Sequence, residues 1–229
     1  MRLPSGSCPT LRREGFTFIP SLNLRDPGLQ RILLLMLPAT VGLSATQINI
    51  FVNTNFAASC VEGSVSWLNY AFRLVQLPIG IFGVAFSIAV MPVLGRQAAG
   101  GDQTGLQQTF NSSLVMVLSL TIPATAGLIL LAEPIIRLIF EHGAFTSFDT
   151  ERTAEALAFY AIGLFAYSAV KVMVPVFYAL GSTRFPVMGS FLAVGANILF
   201  IVLTIDLFQH RAIALATSCS MTLNFLFLG

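Results

Sequence analysis

The sequence predicts an all-α, multi-pass membrane protein whose helices form a six-helix transmembrane bundle. Of its 229 residues, 55% are apolar and only 10% are charged, against about 25% charged in an ordinary soluble domain. The apolar residues form six long continuous stretches, whereas the strands of a membrane barrel alternate polar and apolar residues over about ten positions. This composition excludes a water-soluble globule and favours transmembrane helices over strands.

The six apolar stretches are long enough to cross a bilayer. The first, second and fourth contain about 27 or 28 residues, so at 1.5 Å per residue they exceed a hydrocarbon core of about 30 Å and we expect them to tilt, bend or project. Residues 1–30 are predicted to form a cytoplasmic segment and residues 31–229 the six-helix lobe. The predicted spans are 32–59, 67–94, 106–131, 154–180, 185–207 and 212–229.

The longest connection between spans, residues 141–152, carries two local signals. Thr146 and Asp149 stand three residues apart, which predicts a capping box at the start of the fourth span. Just before this connection, Pro134–Phe140 has the pattern of a short amphipathic helix lying at the membrane interface. Inside the fourth span, Pro175 predicts a kink.

The distribution of arginines predicts the orientation in the membrane. Six spans place both termini on one side, where seven arginines collect, against Arg152 and Arg211 on the other side. Because cytoplasmic loops are enriched in Lys and Arg, we expect both termini to be cytoplasmic. The seven arginines on that side are Arg2, Arg12, Arg13, Arg25, Arg31, Arg96 and Arg184.

Signatures of enzymes, metal sites and nucleic-acid surfaces are missing from the sequence. His142 and His210 stand alone in loops, the three cysteines are widely spaced, and no HExxH, GxSxG or Walker motif occurs. The net charge of +2 is too small and its basic residues too scattered for nucleic-acid binding. We therefore expect no enzymatic activity, no metal site and no nucleic-acid partner.

The second span has one polar or small face. At 100° per residue, seven of its side chains fall within an arc of about 100°. This face either packs against another helix while Arg73 reaches outward to the interface, or it lines a water-filled cavity in which Arg73 binds an anion. The seven residues are Ser66, Asn69, Arg73, Gln76, Gly80, Gly83 and Ser87.

Polar residues also recur in the fourth and first spans. Lys171, the only lysine of the sequence, shares a face with Tyr160, Tyr167 and other polar residues. It either bonds to carbonyls freed by Pro175 or has a functional role. The first span is polar on two sides and is therefore expected to lie centrally in the bundle.

Four segments resemble one known family. They are Ala45–Thr54 (ATQINIFVNT), Gly63–Ala85, His142–Thr146 (HGAFT) and Val170–Ala179 (VKVMVPVFYA). In sequence and spacing they are similar to the MurJ/MviN lipid II flippases of the MOP exporter superfamily. The resemblance implies a fourteen-helix parent fold with two six-helix lobes around a cationic cavity, and the six spans resemble helices seven to twelve, the second lobe.

The resemblance also implies which residues bind substrate. Arg73 corresponds to a cavity arginine that the family uses on the lipid-linked pyrophosphate, and a guanidinium fork suits that anion. Ser66 and Gln76 correspond to further cavity positions. With Asn69 and Lys171 they complete the predicted substrate-binding set. Phe72 stands where many members have an acidic residue, so Arg73 is expected to lack a carboxylate neighbour.

Sodium is the one candidate cofactor that the resemblance implies. Some members of the family bind Na+ between the first, fifth and sixth helices of this lobe. In this chain Asn49, Asn53, Asn197 and Thr217 are the candidate ion-coupling residues, and no carboxylate accompanies them. No other cofactor is expected.

The leading hypothesis is that the chain is the second lobe of a lipid II flippase in the bacterial cytoplasmic membrane, acting by alternating access. Its expected partners are lipid II, membrane lipids and a separate first lobe, because the segment before Arg31 is too short to form one and the chain resembles a truncated or split product. One alternative is a non-transporting membrane protein that binds a lipid-linked saccharide or a cell-wall synthesis partner. Another is a different MOP-type exporter.

Overall fold

The computed structural model describes residues 27–229, except for the side chains of residues 27–39 and 41–43. Throughout residues 27–229 the regular structure is helical and no strand occurs. Residues 1–26 of the predicted cytoplasmic segment (residues 1–30) lie outside the described residues. The arginines at positions 2, 12, 13 and 25, on which part of the orientation argument rests, lie outside them as well.

The helices follow the predicted spans closely. Leu37–Gly229 form one compact unit, which contains α1 from Leu37 onward and all later helices. The elements are α1 (Pro27–Ala58), α2 (Ser64–Pro78), a π-helical segment (Ile79–Val84), α3 (Ala85–Ala99), α4 (Gln103–Leu130), α5 (Ala132–Phe140), α6 (Ser147–Ile162), α7 (Leu164–Ala179), α8 (Arg184–Phe208) and α9 (His210–Leu228).

Helix length and composition confirm a multi-pass membrane fold. Four helical stretches are long and apolar enough to cross a bilayer: the continuous Ser64–Ala99, together with α4, α8 and α9. The α6–α7 pair makes a fifth if it is counted as one broken span. The first predicted span coincides with α1, but much of its side-chain composition lies outside the described residues.

The break in the fourth span lies at Gly163, whereas the sequence predicted a kink at Pro175. The axes of α6 and α7 differ by 45° across this glycine, while Pro175 lies inside the continuous α7. The Ser218 hydroxyl of α9 donates hydrogen bonds to the carbonyls of Phe159 (2.7 Å) and Tyr160 (3.2 Å), and these carbonyls belong to the last turn of α6. A Cβ at position 163 would lie 2.8 Å from the Ser218 Cα, so glycine permits this close approach.

The connection between α5 and α6 contains the predicted capping box, and the segment before it forms the predicted short helix. Asp149 Oδ2 accepts from the Thr146 backbone N–H at 2.8 Å, and the Thr146 side chain accepts from the Asp149 N–H, which completes the capping box. α5 is amphipathic, because Ile136 is fully buried while the charged side chains of Glu133 and Arg137 are 55% and 57% exposed. The indole N–H of Trp67 donates to Asp149 Oδ1 at 2.8 Å, so the cap of α6 is also tied to α2.

At the same end of the bundle, four ionisable residues meet between α6 and α9. Glu155 accepts from Arg211 and lies 3.4 Å from Arg152 and 3.7 Å from the His210 Nε2. His210 is almost fully buried, and its ring packs edge-on against Trp67 with 5.3 Å between centroids. This group, here named the Glu155 cluster (Arg152, Glu155, His210 and Arg211), joins α6 to α9 and contacts α2.

Candidate functional site

A cleft of about 440 Å³ opens between α1, α2, the α6–α7 pair and α9. Its lining mixes apolar side chains with amides, hydroxyls and one ammonium group, and it includes no aspartate or glutamate. The polar lining residues are Thr46, Asn49, Asn53, Thr54, Asn69, Gln76, Tyr160, Tyr167, Lys171 and Thr217. The cleft therefore suits a ligand that carries hydroxyl or amide groups and negative charge.

The substrate-binding residues predicted on α2 divide into two sets. Asn69 and Gln76 line the cleft, and the Asn69 side-chain amide donates to the Val65 carbonyl at 2.8 Å. Ser66 and Arg73 lie further around the same helix, exposed and outside the lining. Among the described residues Arg73 forms no ion pair, and the residue before it, Phe72, lines the cleft.

Lys171 lines the opposite wall of the cleft, on α7. It is exposed, and the structure gives it no hydrogen bond to a carbonyl among the described residues. The interpretation that Lys171 is held by carbonyls freed at Pro175 is therefore not supported. Two cationic side chains, those of Lys171 and Arg73, stand near this cleft without an acidic partner in residues 27–229.

Three aromatic side chains that contact one another form part of the cleft lining. The Phe72 ring contacts the rings of Tyr160 and Tyr167, with centroids 5.4 Å and 6.3 Å apart. All three residues line the cleft. In the sequence the two tyrosines belong to a polar face, and Phe72 stands where many members of the family have an acidic residue. In the structure Phe72 packs against these two tyrosines. The presence of aromatic residues on both α2 and the α6–α7 pair could have suggested this contact.

The four candidate ion-coupling residues come together at one side of the cleft. The Asn197 amide of α8 donates to Asn49 Oδ1 at 2.6 Å and to Asn53 Oδ1 at 2.7 Å, both on α1. The Asn53 amide donates in turn to the Thr217 hydroxyl of α9 at 3.2 Å. We name these four residues the Asn197 network. It places Asn49, Asn53 and Thr217 on the wall of the cleft and Asn197, fully buried, behind them.

The polar face of the second span does not continue along one line as the sequence predicted. The segment Ile79–Val84 is π-helical, and the Ala85 N–H donates to the Gly80 carbonyl five residues earlier. A π turn holds more residues than an α turn, so the side chains that follow it point in a different direction around the helix axis. Gly80 and Val84 line the cleft, whereas Gly83 is buried against α7, where an added Cβ would lie 3.2 Å from the Ser168 Cα.

Comparison with known proteins identifies the family. The family model described as "Lipid II flippase MurJ" matches residues 7–229. The chain belongs to the MurJ lipid II flippase family. A relative from Vibrio cholerae, named probable lipid II flippase MurJ, is 34% identical over 216 residues, which are 94% of this chain and 41% of the relative. The chain therefore spans about two fifths of the length of this MurJ relative.

Solved structures agree with this assignment. A lipid II flippase MurJ in an inward closed conformation superposes with a TM-score of 0.77 and 30% identity, covering 93% of this chain and 44% of that one. An outward-facing multidrug resistance transporter of the MATE family, from the MOP superfamily, gives a TM-score of 0.75 at 18% identity, covering 86% and 43%, and so shares the fold. The chain is thus one lobe of a MOP-type fold and a multi-pass protein of the bacterial inner membrane.

Proposed function

We propose that the chain supplies one of two six-helix lobes that carry lipid II, a lipid-linked pyrophosphate saccharide, across the bacterial cytoplasmic membrane. The observation that carries the proposal is the cleft itself, which has Lys171 in its wall and no acidic residue in its lining, while Arg73 is exposed on the same helix as the lining residues Asn69 and Gln76. An unneutralised arginine at the bilayer centre costs about 2.5–3.5 kcal/mol on insertion scales. An anionic headgroup would offset that cost.

Each wall of the cleft suits a different part of such a headgroup. The guanidinium of Arg73 offers paired N–H donors to phosphate oxygens, and the Lys171 ammonium adds a point charge. Asn69 and Gln76 offer amide groups to sugar hydroxyls or peptide bonds. These contacts are non-covalent, so the proposed activity is binding and release at the two membrane faces by alternating access, without chemical change.

A second lobe is part of the proposal because polar faces of this lobe are uncovered. On α1, Ser44, Gln47 and Thr54 are exposed, and on α2, Ser66 and Arg73 are exposed. The hydroxyls of Ser44 and Thr54 bond to their own helix, at the carbonyls of Thr40 and Ile50. α1 was expected to lie centrally in a bundle, and these faces would become interior only against another helical lobe.

The test is a chimera. Residues 37–229 replace the matching region of the full-length Vibrio cholerae relative, and the chimera is expressed in cells depleted of their own flippase. We expect growth to be restored, to fail with Arg73→Ala, and to be poorly restored with Arg73→Lys, because an ammonium does not reproduce the guanidinium fork. Arg184→Ala, at an exposed arginine at the start of α8, is the matched control and should grow normally.

Membrane abundance of each chimera is measured by immunoblot, so that a folding defect is separated from a loss of transport. Normal growth with Arg73→Ala at normal abundance would contradict the proposed role of this residue. Failure of the unsubstituted chimera, when it is present at normal abundance and correctly inserted, would contradict the proposed function of the lobe.

A binding protein without transport activity is the second candidate, and the uncovered faces of α1 and α2 favour it for the chain on its own. The purified 229-residue chain in liposomes that contain lipid II is expected to bind the headgroup without moving it between leaflets. Translocation that depends on the chain alone, and that is lost with Arg73→Ala, would show that one lobe suffices.

Orientation is proposed from the arginine asymmetry, with both termini in the cytoplasm. After Cys8, Cys60 and Cys219 are replaced by serine, Ala144→Cys in the α5–α6 connection should react with an impermeant thiol reagent in intact cells. Gln103→Cys, at the opposite end of α4, should react only after lysis. The reverse pattern would invert the topology.

A further inference from the structure

The Asn197 network occupies the place where the family resemblance implies a sodium ion. A hard cation is bound by several oxygens that point at one centre, often with a carboxylate among them to balance its charge. The network has three neutral amides and one hydroxyl. Among the described residues no group of three or more His, Cys, Asp or Glu side chains is placed to hold a metal ion. The chemistry of the four side chains is therefore poor for a cation.

The geometry is less suitable still. The Asn49 and Asn53 oxygens, which would be the first two ligands, converge on the Asn197 amide nitrogen at 2.6 and 2.7 Å. Each of the two amide hydrogens thus satisfies one oxygen. The Thr217 hydroxyl accepts from Asn53 at 3.2 Å and donates to the Ile213 carbonyl at 2.7 Å. A cation would have to displace the amide and would leave its donors unsatisfied in a buried position.

The burial of Asn197 makes such an exchange unfavourable. Its side chain is fully buried near the middle of α8, and Thr217 is 2% exposed. A cation entering this position would bring a full positive charge beside three neutral amides, and no described carboxylate contacts the network. Burying an uncompensated charge costs far more than burying a satisfied amide.

We propose that the Asn197 amide takes the place of the cation, as a permanent and uncharged cross-link between α1, α8 and α9. Asn197 then acts as a positioning residue, because it fixes Asn49 and Asn53 on the wall of the cleft without touching a ligand itself. The packing of these three helices against one another does not depend on Na+. The inference concerns the stability of the lobe and holds whichever ligand the cleft binds.

The test compares cations at equal ionic strength. The purified 229-residue chain in detergent is melted in NaCl, KCl and choline chloride, and its melting temperature should be the same in all three. Asn197→Asp replaces the two donors by a carboxylate and so creates a demand for a cation. Its melting temperature should be lowest in choline and rise saturably with Na+, by about 3 °C or more. Asn55→Asp, at an exposed amide of α1, carries the same added charge and should show no preference among the salts.

Two outcomes would overturn the proposal: a saturable, Na+-specific rise for the unsubstituted chain, or a folded Asn197→Asp variant that is equally indifferent to the three salts. If Asn197→Asp does not fold, retention of radioactive sodium by the unsubstituted chain decides the question. Sodium retention no greater than in the choline chloride control supports the proposal. Retention of about one sodium ion per chain contradicts it. None of these outcomes depends on transport, so they are separate from the test of the proposed function.

Discussion

The Glu155 cluster and the Asn197 network both fasten α9 to its neighbours, but with opposite chemistry. In the cluster, one carboxylate meets two guanidinium groups and an imidazole, and the Glu155, Arg152 and Arg211 side chains are 24%, 31% and 34% exposed. In the network, neutral amides and a hydroxyl join three helices at a fully buried asparagine. His210 and Arg211 of the cluster begin α9, and its charged side chains are partly exposed, whereas the network lies near the middle of α8.

This difference follows from the cost of desolvation. Near helix ends water screens charges and lowers the penalty of holding them together, whereas in the middle of a membrane helix a charge is expensive and a satisfied amide is tolerated. The two regions should therefore respond differently to salt and pH.

The largest effect is expected at Gly163, because both regions depend on the position of α9. Gly163→Ala would place a Cβ 2.8 Å from the Ser218 Cα, and α9 carries both His210 and Thr217. Displacing it should cost about 3 kcal/mol of stability, the upper end for overpacking, measured as a lower melting temperature in detergent. Gly127→Ala in α4, where an added Cβ meets nothing within 4 Å, is the matched control. Equal melting temperatures for the two variants would show that α9 adjusts freely.

The next largest effect concerns the charged region alone. Glu155→Gln keeps the shape of the side chain but leaves Arg152 and Arg211 without a counter-charge, which should cost about 2 kcal/mol at low salt. The loss should shrink in concentrated salt, because the remaining like charges are then screened. Asn197→Leu should lose stability equally at both salt concentrations. The same salt response in both variants would contradict the distinction between the two regions.

A smaller effect is expected at the contact between α2 and the cap of α6. Trp67→Phe removes the hydrogen bond from the indole N–H to Asp149 and keeps an aromatic ring near His210. A hydrogen bond to a charged carboxylate contributes about 1.5 kcal/mol at the lower end of its range, and the melting temperature followed by circular dichroism should fall accordingly. An unchanged melting temperature would mean that water replaces this bond without loss.

The smallest effect is a pH response at Glu141, in the α5–α6 connection. A hydrogen bond from the Thr150 hydroxyl, at 2.7 Å, lowers the pKa of Glu141, with further help from Ser147 and Arg137. Because the folded pKa lies below the unfolded value, this stabilisation is present above about pH 4.3 and is lost as the pH falls through the folded pKa.

The variant Thr150→Val should therefore melt lower than the unsubstituted chain at pH 7, and the difference should shrink as the pH is lowered below 4. Thr153→Val is the matched control, because the buried Thr153 hydroxyl has no hydrogen-bond partner in the structure. Its melting temperature should not fall at either pH. A Thr150→Val deficit that stays constant with pH would assign the effect to packing alone.

Local patterns in the sequence predicted the elements that depend on neighbouring residues. Apolar runs predicted the helical spans, and Thr146 with Asp149 predicted the cap of α6, because the hydrogen bonds of a capping box join residues three apart. The break at Gly163 was missed because its cause, Ser218, lies far along the chain. Proline is visible as a helix breaker in any sequence, whereas a glycine that admits a neighbouring helix is recognised only once the helices are packed.

The sequence predicted which residues lie together at the candidate site better than it predicted which of their atoms face one another. The family resemblance of the sequence grouped the four residues of the Asn197 network as oxygen donors. It did not predict that the Asn197 amide nitrogen points at the Asn49 and Asn53 oxygens, because packing decides which end of an asparagine faces inward. Likewise Arg73 lies on the predicted face of α2 but outside the lining, since the orientation of the cleft depends on α1 and the α6–α7 pair.

The π-helical segment Ile79–Val84 divides Ser64–Ala99, the longest candidate span within residues 27–229, into two halves whose helical faces point in different directions. In a substitution scan through Ser64–Ala99, the sensitive positions should recur with helical periodicity up to Pro78. From Ala85 they should recur with the same periodicity, shifted by about one residue. Spin labels or crosslinkers placed on a single helical wheel would point correctly in one half of this span and wrongly in the other. The two halves can therefore accept mutations for different reasons, one set by the cleft and the other by the lipid and helices around α3.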